Sequence, residues 1–408
     1  MSRTWVTPGY LAWTAAATVS ALGDGIIAFA VSWTATGISG TAAGTLSAVG
    51  LVPTVILLLV GGSLGDSWGQ RRVLLVSTLA QLAQYTVLFA MLNTHVSLLG
   101  LLAVNAAVAG SLQGLRAPSS GVYARQFVAV ADVKAAISTT NSLASVTRMV
   151  NPTIGALVLA AVGLRGATLV QAATFLGVLI VLCTVTPRSA PATPPRQSLR
   201  GNIREGITSI WQHRRARALL GSTALIAGAL LPVVGIGIPL LVRHRGWQVA
   251  TAGMLEGSWM AGSITASLLV TARYARTPEA TPRGLALGPL LAGTGIIGLS
   301  LAPDPGLAAV ACLAMGLGTS LFTANVSPVL VSMTPPDLQS RWSALTTLVQ
   351  FLPLIVINPL LGTAADQIGI LRTLQALALL AVLAAAMQGA QPDTPHPGTP
   401  ETAQPSSD

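Results

Sequence analysis

The sequence predicts an all-α polytopic membrane protein of about twelve transmembrane helices in two pseudo-symmetric six-helix bundles. Three observations carry this. Apolar runs of roughly 20 residues recur along the chain, and only 8% of its 408 residues are charged. Lys and Arg crowd into alternate loops. Short segments also recur in the two halves at a nearly constant spacing.

A hydrophobic content of 52% is only modestly high, so its distribution decides. Continuous Leu, Ala, Val and Gly runs exclude a barrel, whose strands would alternate over about 10 residues. Helices satisfy every backbone group within their own segment, as lipid demands. Spans are predicted near 10–35, 41–62, 72–92, 97–122, 136–162, 166–186, 218–242, 248–272, 284–302, 306–333, 341–364 and 369–389. These form an N-terminal bundle (1–186), a basic cytoplasmic linker (187–217), a C-terminal bundle (218–389) and a disordered tail (390–408) rich in Pro, Thr, Ser and Gln.

Span one carries Asp24 and is closely followed by further spans, so it reads as a retained span rather than a cleaved leader. With the N-terminus inside, inward Arg71, Arg72, Arg188, Arg200, Arg214 and Arg215, with others, outnumber outward Arg165, Arg243, Arg245 and Arg372. The positive-inside rule then places both termini in the cytoplasm. The net charge of +10 therefore sits at membrane edges, where anionic lipid attracts it. It does not point to nucleic acid, which would need a basic face on a folded domain.

Between spans two and three a ten-residue hinge runs from Gly62 to Arg71 and closes at Arg72. Asp66 at the end of span two could bond amides at a neighbouring helix start and pair with an Arg. Gly62 and Gly69 would permit close helix approach and a tight turn. Such a latch would hold the bundles together on the cytoplasmic side. The simpler reading is a topology anchor made by Arg71 and Arg72.

Ionisable groups inside lipid cost at least ~2.5 kcal/mol, which makes each a functional candidate. Residue counting puts Asp24 about 21 Å along span one and Arg148 about 18 Å along span five, at similar depth. They form a candidate pair, either coupling protons to transport or bridging the two helices permanently. Arg116 in span four is nearer the cytoplasmic end and is expected to snorkel. Glu256 in span eight is a candidate for a cationic substrate group or a proton, with Trp259 one turn away as a stacking partner. Asn105, Gln113, Asn141, Gln171, Asn325 and Gln350 either line a central cavity or join helices. Other tryptophans, Trp33, Trp247 and Trp342, fall near span ends and read as interfacial anchors.

The linker opens with Pro187, Pro191, Pro194 and Pro195, and continues into a segment with Ile203, Ile207, Ile210 and Trp211 on one predicted face. That pattern reads as an amphipathic helix on the membrane surface. The halves echo one another. Asp132-Val133-Lys134 recurs as Asp337-Leu338-Gln339, and Asn151-Pro152-x-x-Gly155 as Asn358-Pro359-x-x-Gly362.

Twelve spans as six plus six, a long central loop and the 2–3 hinge resemble the major facilitator superfamily. The hinge matches that family's loop signature through Gly62, Leu64, Asp66, Gly69, Arg71 and Arg72, and departs at Ser67 and Gln70, where basic residues are usual. Gly23-Asp24-Gly25 is similar to the opening span of bacterial macrolide and siderophore exporters. Asn151, Pro152 and Gly155 resemble the fifth-span antiporter signature, with departures at Asn151 and Ala156. The resemblance implies alternating access and adjacency of spans one and five. It also implies efflux of a small amphipathic substrate from a bacterial inner membrane, driven by the proton gradient, and by a monomer without cofactor. Import or uniport by the same fold, or a non-transporting receptor, are the alternatives.

Enzymatic readings find no footing. No phosphate-binding Gly-rich loop is present, His95, His213, His244 and His396 lie in loops or the tail, and Cys183 and Cys312 fall in separate spans. Neither a metal site nor a disulfide framework is expected.

Overall fold

The computed structural model describes residues 7–187, 208, 209, 213–274, 282–334 and 339–389, and its described residues contain helices and no strand. Nine helices among them are long and apolar enough to cross a bilayer. One, Val133–Thr184, runs for 52 residues and breaks at Gly163 (φ 67°, ψ −177°) into spans five and six. The other spans are Pro8–Thr36, Gly40–Trp68, Gln70–Met91 and Leu98–Arg125 in the first half. In the second half they are Arg214–His244, Pro305–Met333, Gln339–Ile368 and Ile370–Gly389, and the less apolar Val249–Tyr274 and the shorter Pro282–Leu301 occupy the two remaining span positions. Every predicted span has its helix.

Local chemistry sets the helix starts. Thr7, Ser39, Ser97 and Asp304 each accept a hydrogen bond from a backbone N–H in the first turn, and Pro8 and Pro305 occupy positions whose N–H would be unpaired anyway. The hinge is shorter than the sequence suggested. Span two continues as helix through Asp66 to Trp68, and Gly69 alone, at φ 85°, turns the chain into span three. Only glycine adopts that backbone without strain. Gly369, at φ 87°, makes the same one-residue turn between spans eleven and twelve. The amphipathic linker segment with Ile203, Ile207, Ile210 and Trp211, as well as Asp337, Leu338 and the tail, lies outside the described residues.

Within bundles, spans one and five, two and four, and eight and ten pack extensively; between bundles the main contacts join two with eleven and five with eight. Apolar burial does not drive helices together in lipid, so small residues that let backbones approach do much of the holding. A side chain at Gly110 would collide with the Gly50 carbonyl of span two, and one at Gly316 with the Trp259 carbonyl of span eight. Large apolar residues such as Val104, Leu268 and Leu269 point outward instead, more than 60% exposed, where lipid would cover them.

Among the described residues, the two bundles are hydrogen-bonded to each other toward one end. We call the end where span one begins the near face and the opposite end the far face. Among the described residues, hydrogen bonds joining the bundles lie in the far half: Ser32 to Gly235, Gly40 and Thr41 to Asp366, Asn358 to Ser47, Thr153 to Gly253, and Arg243 to Trp33 and Thr36. Toward the near face, span five instead lines an open pocket with Lys134, Ser138, Asn141 and Ser145. Among the described residues, hydrogen bonds therefore close the far face and none of them joins the bundles at the near face.

Gly110→Leu or Gly316→Leu should lower the thermal midpoint of the purified protein, since overpacking a tight seam costs about 1–3 kcal/mol. Leu268→Ala, on the outer surface, should leave it within a degree or two. An unchanged midpoint in both glycine variants would remove these seams from the account of stability.

Candidate functional site

Between the bundles lies a cavity of about 460 Å³ whose wall includes Ser32, Asn151, Leu231, Gly235, Glu256 and Asn358. It continues into a second lobe of about 390 Å³ within the N-terminal bundle, lined by Asp24, Gln81, Tyr85, Asn105 and Gln113. Ala28, Val31, Ser47, Gly50, Leu354 and Asn358 border both lobes. An apolar hollow with a few convergent polar groups is what a small-molecule site requires.

Asp24 is paired, but not with the residue that its depth suggested. Arg116 Nη2 of span four lies 3.1 Å from Asp24 Oδ2, and Gln171 Nε2 of span six donates to Oδ1 at 2.5 Å. Arg116 also lies over the Phe175 ring at 5.2 Å and reaches Ser20 at 3.4 Å. Its side chain is 13% exposed. The predicted snorkelling of Arg116 is therefore corrected: it turns inward as the counter-ion. The predicted Asp24–Arg148 pair is corrected too, because Arg148 is exposed and, among the described residues, donates to Ser145 on its own helix at 3.3 Å. Counting residues fixes height, not direction. Gly25 faces Asn151 of span five, and Asp24, one residue back, points about 100° around the helix toward spans four and six.

Glu256 is 8% exposed, lines the central lobe and makes no hydrogen bond or ion pair with another described residue. Across the cavity, span seven forms a π turn at Val233–Gly237. The Gly235 carbonyl there accepts from Ser32 of span one at 2.6 Å. Such turns free carbonyls and often mark functional sites. Trp259 does not line either lobe; three residues from Glu256, it points about 60° away and packs on the apolar core, with its indole Nε1 buried and without a partner among the described residues. The stacking role predicted for it has no geometric support in this state.

The fifth-span motif joins three helices. Asn151 Nδ2 donates to the Ala21 carbonyl of span one at 3.0 Å, Gly155 admits Phe29, and Pro152 lies against Gly253 of span eight. Its repeat behaves alike, as Asn358 Nδ2 donates to Ser47 of span two at 2.7 Å. Both Asn151 and Asn358 leave a buried Oδ1 without a partner in residues that line the cavity. Sequence reasoning noted Asn358 as an echo and missed it as a wall residue; the spacing to Asn151 was the available signal.

The remaining polar candidates divide. Asn105 and Gln113 line the second lobe, and Gln84 donates to the Asn105 side chain at 2.8 Å. Asn141 sits in the near-face pocket. Asn325 donates to the Leu321 carbonyl of its own helix at 2.7 Å, and neither it nor Gln350 lines the cavity.

The hinge residues do not form the expected latch in this state. Asp66 and Arg72 are exposed, and Asp66 has no ion pair or hydrogen bond among the described residues. Arg71 instead caps span six, its Nη2 and Nε donating to the Leu182 carbonyl at 2.7 and 3.0 Å. A cation at a helix C-terminus is favourably placed. Gly62 has open space where a side chain would go, so it serves no close approach; Gly61 and Gly65, against Leu115 and Ser119 of span four, do that. Half-buried Leu64 offers the hinge only its carbonyl, which accepts from Ser67 Oγ at 3.2 Å.

The Major Facilitator Superfamily model matches residues 13–357. No curated protein matches the chain. Among solved structures, a bacterial homologue of the human lysosomal transporter Spinster, inward-facing and unoccupied, is 14% identical over 94% of this chain and 97% of that one, with a TM-score of 0.78. The nucleoside transporter NupG is 11% identical over 94% and 99%, at 0.76. A D-xylose–proton symporter is 16% identical over 93% and 97%, at 0.69. Identities this low speak for a shared fold and not for a shared cargo.

Arg116→Ala should lose substrate-dependent function and lower the thermal midpoint, because a carboxylate stripped of its partner in a low-dielectric site costs a few kcal/mol. Arg148→Ala should change neither. Equal effects of the two substitutions would return Asp24 to the Arg148 pairing.

Proposed function

We propose, from the premise that this chain belongs to the major facilitator superfamily of membrane transporters, that it exports a small amphipathic cation from a bacterial cytoplasm in exchange for protons. The carrying observation is a cavity between bundles that, among the described residues, are hydrogen-bonded to each other only toward the far face, with the carboxyl of Glu256 in its wall. Loop arginines favour the near face as cytoplasmic. In that orientation the hydrogen-bonded far face would be the outer gate, and cargo would load from the cytoplasm.

The apolar wall would take the body of the cargo, and Glu256 its charge. An ionised carboxyl in that wall needs a counter-charge, and a proton or a cationic group can supply it. Cargo and proton therefore compete for one site, which is the chemistry of exchange. Asp24, held by Arg116 and Gln171, serves this reading differently. Protonating it would weaken its hold on Arg116 and loosen span one from spans four and six, so proton entry could reach the helices that move. A ligand can shift the balance of states only through such differential contacts. Export over import rests on the resemblance of the Asn151, Pro152 and Gly155 element, and the same fold could run the other way.

Proteoliposomes loaded with a pH-sensitive dye would test this, with ethidium as probe. Ethidium applied on the near-face side should drive proton movement in the parent protein, Glu256→Gln should abolish it, and Asp24→Asn should slow it. Gradient-driven ethidium movement that survives Glu256→Gln would end the exchange role; proton-driven accumulation toward the near-face side would favour import.

A further inference from the structure

The sequence around the 2–3 turn has a second copy that points the other way across the membrane. Gly62, Asp66, Gly69 and Arg72 recur as Gly362, Asp366, Gly369 and Arg372, at an unbroken offset of 300. Both third glycines take positive φ, 85° and 87°, and both end a long helix and start the next. The first copy lies at the near face and the second at the far face.

In the second copy the aspartate is engaged. Asp366 Oδ1 accepts from the Gly40 N–H at 2.8 Å, and Oδ2 accepts from the Thr41 N–H at 2.8 Å and from Thr41 Oγ1 at 2.7 Å. Gly40 and Thr41 open span two, in the other bundle. A helix start has N–H groups with no partner of its own. Here Ser39 Oγ accepts from Ala42 at 2.9 Å, so Asp366 takes the two amides that the local cap leaves. Within its own helix the position is unfavourable, since Asp366 sits in the last turn of span eleven, against the negative end of that helix. The favourable dipole is that of span two. Glycines let the helices close on each other beside it: a side chain at Gly362 would strike the Gly40 carbonyl, and one at Gly44 the Asn358 carbonyl.

We propose that Asp366 is a positioning residue for alternating access, a clasp across the two bundles that holds the far gate shut and releases when that gate opens. It goes beyond the loop latch read at Asp66, which is disengaged in this state, and it depends on neither cargo nor coupling ion. The contact spans two bodies that must separate at the far face, whereas Arg71 and Arg116 bind partners inside one bundle. Asp366 is exposed, so water and salt temper the clasp and keep it breakable.

Double electron–electron resonance on protein in nanodiscs, without substrate, tests it. Nitroxide pairs at Ile38 and Gln248 read the far face, and pairs at Arg125 and Ser332 the near face, with Cys183 and Cys312 replaced by Ala. Asp366→Ala should raise the far-open to far-closed ratio on the order of fivefold, the scale of one helix-dipole interaction, and shorten the near-face distances. Thr41→Val, which keeps both amides, should shift the same populations less, and it decides the matter should Asp366→Ala fail to fold. Unchanged distance distributions in the variants that fold would overturn the clasp, and so would a lowered thermal midpoint without a population shift. Because no cargo is present, a wrong reading of transport direction or coupling would leave this result standing.

Discussion

An ionised or hydrogen-bonding group inside lipid must find its partner within the protein, and this constraint organises the rest of the molecule. It keeps the chain helical from Pro8 to Gly389 wherever a described segment crosses the bilayer. It ties Asp24 to Arg116 and Gln171, drawing spans one, four and six around one carboxylate. Glu256, which has no such partner among the described residues, stands out for that reason. The buried Asn151 and Asn358 Oδ1 atoms are also left without a partner in the same cavity wall, and unsatisfied groups gathered in one wall make it the candidate binding surface.

The twelve crossings were legible because lipid imposes length and apolarity on each crossing separately, so they can be read one at a time. The site was legible in composition but not in pairing. Asp24 and Glu256 stood out as rare charges, yet nothing in the chain states which way a side chain points around its helix. Arg148 and Arg116 show the consequence: depth favoured one and azimuth the other. Trp259 misled similarly, since one turn from Glu256 is still a different face. Asp66 resembled a latch from its motif, while the engaged carboxylate lies 300 residues on, in a second copy of the same Gly, Asp, Gly and Arg spacing.

The internal repeat explains both the likeness and the limits of the two halves. Gly110 and Gly316 stand at equivalent places, 206 apart, and each lets its helix meet a neighbouring backbone. The same offset pairs Gly50 with Glu256, Arg116 with Phe322 and Asp24 with Leu230. The packing is duplicated and the charges are not. One bundle carries a satisfied ion pair and the other a bare acid, so the halves share a mechanical frame and divide the chemistry.

The one-residue turns at Gly163 and Gly369 leave little chain outside the bilayer on the far side. Spans five and six, and eleven and twelve, join there almost without a loop. An antibody fragment, toxin or phage protein arriving from that side would find few side chains to hold at these two junctions. Reagents meant to trap this protein in one state would therefore be better raised against the near face, where the open pocket beside Lys134 and Asn141 offers a concave and polar surface.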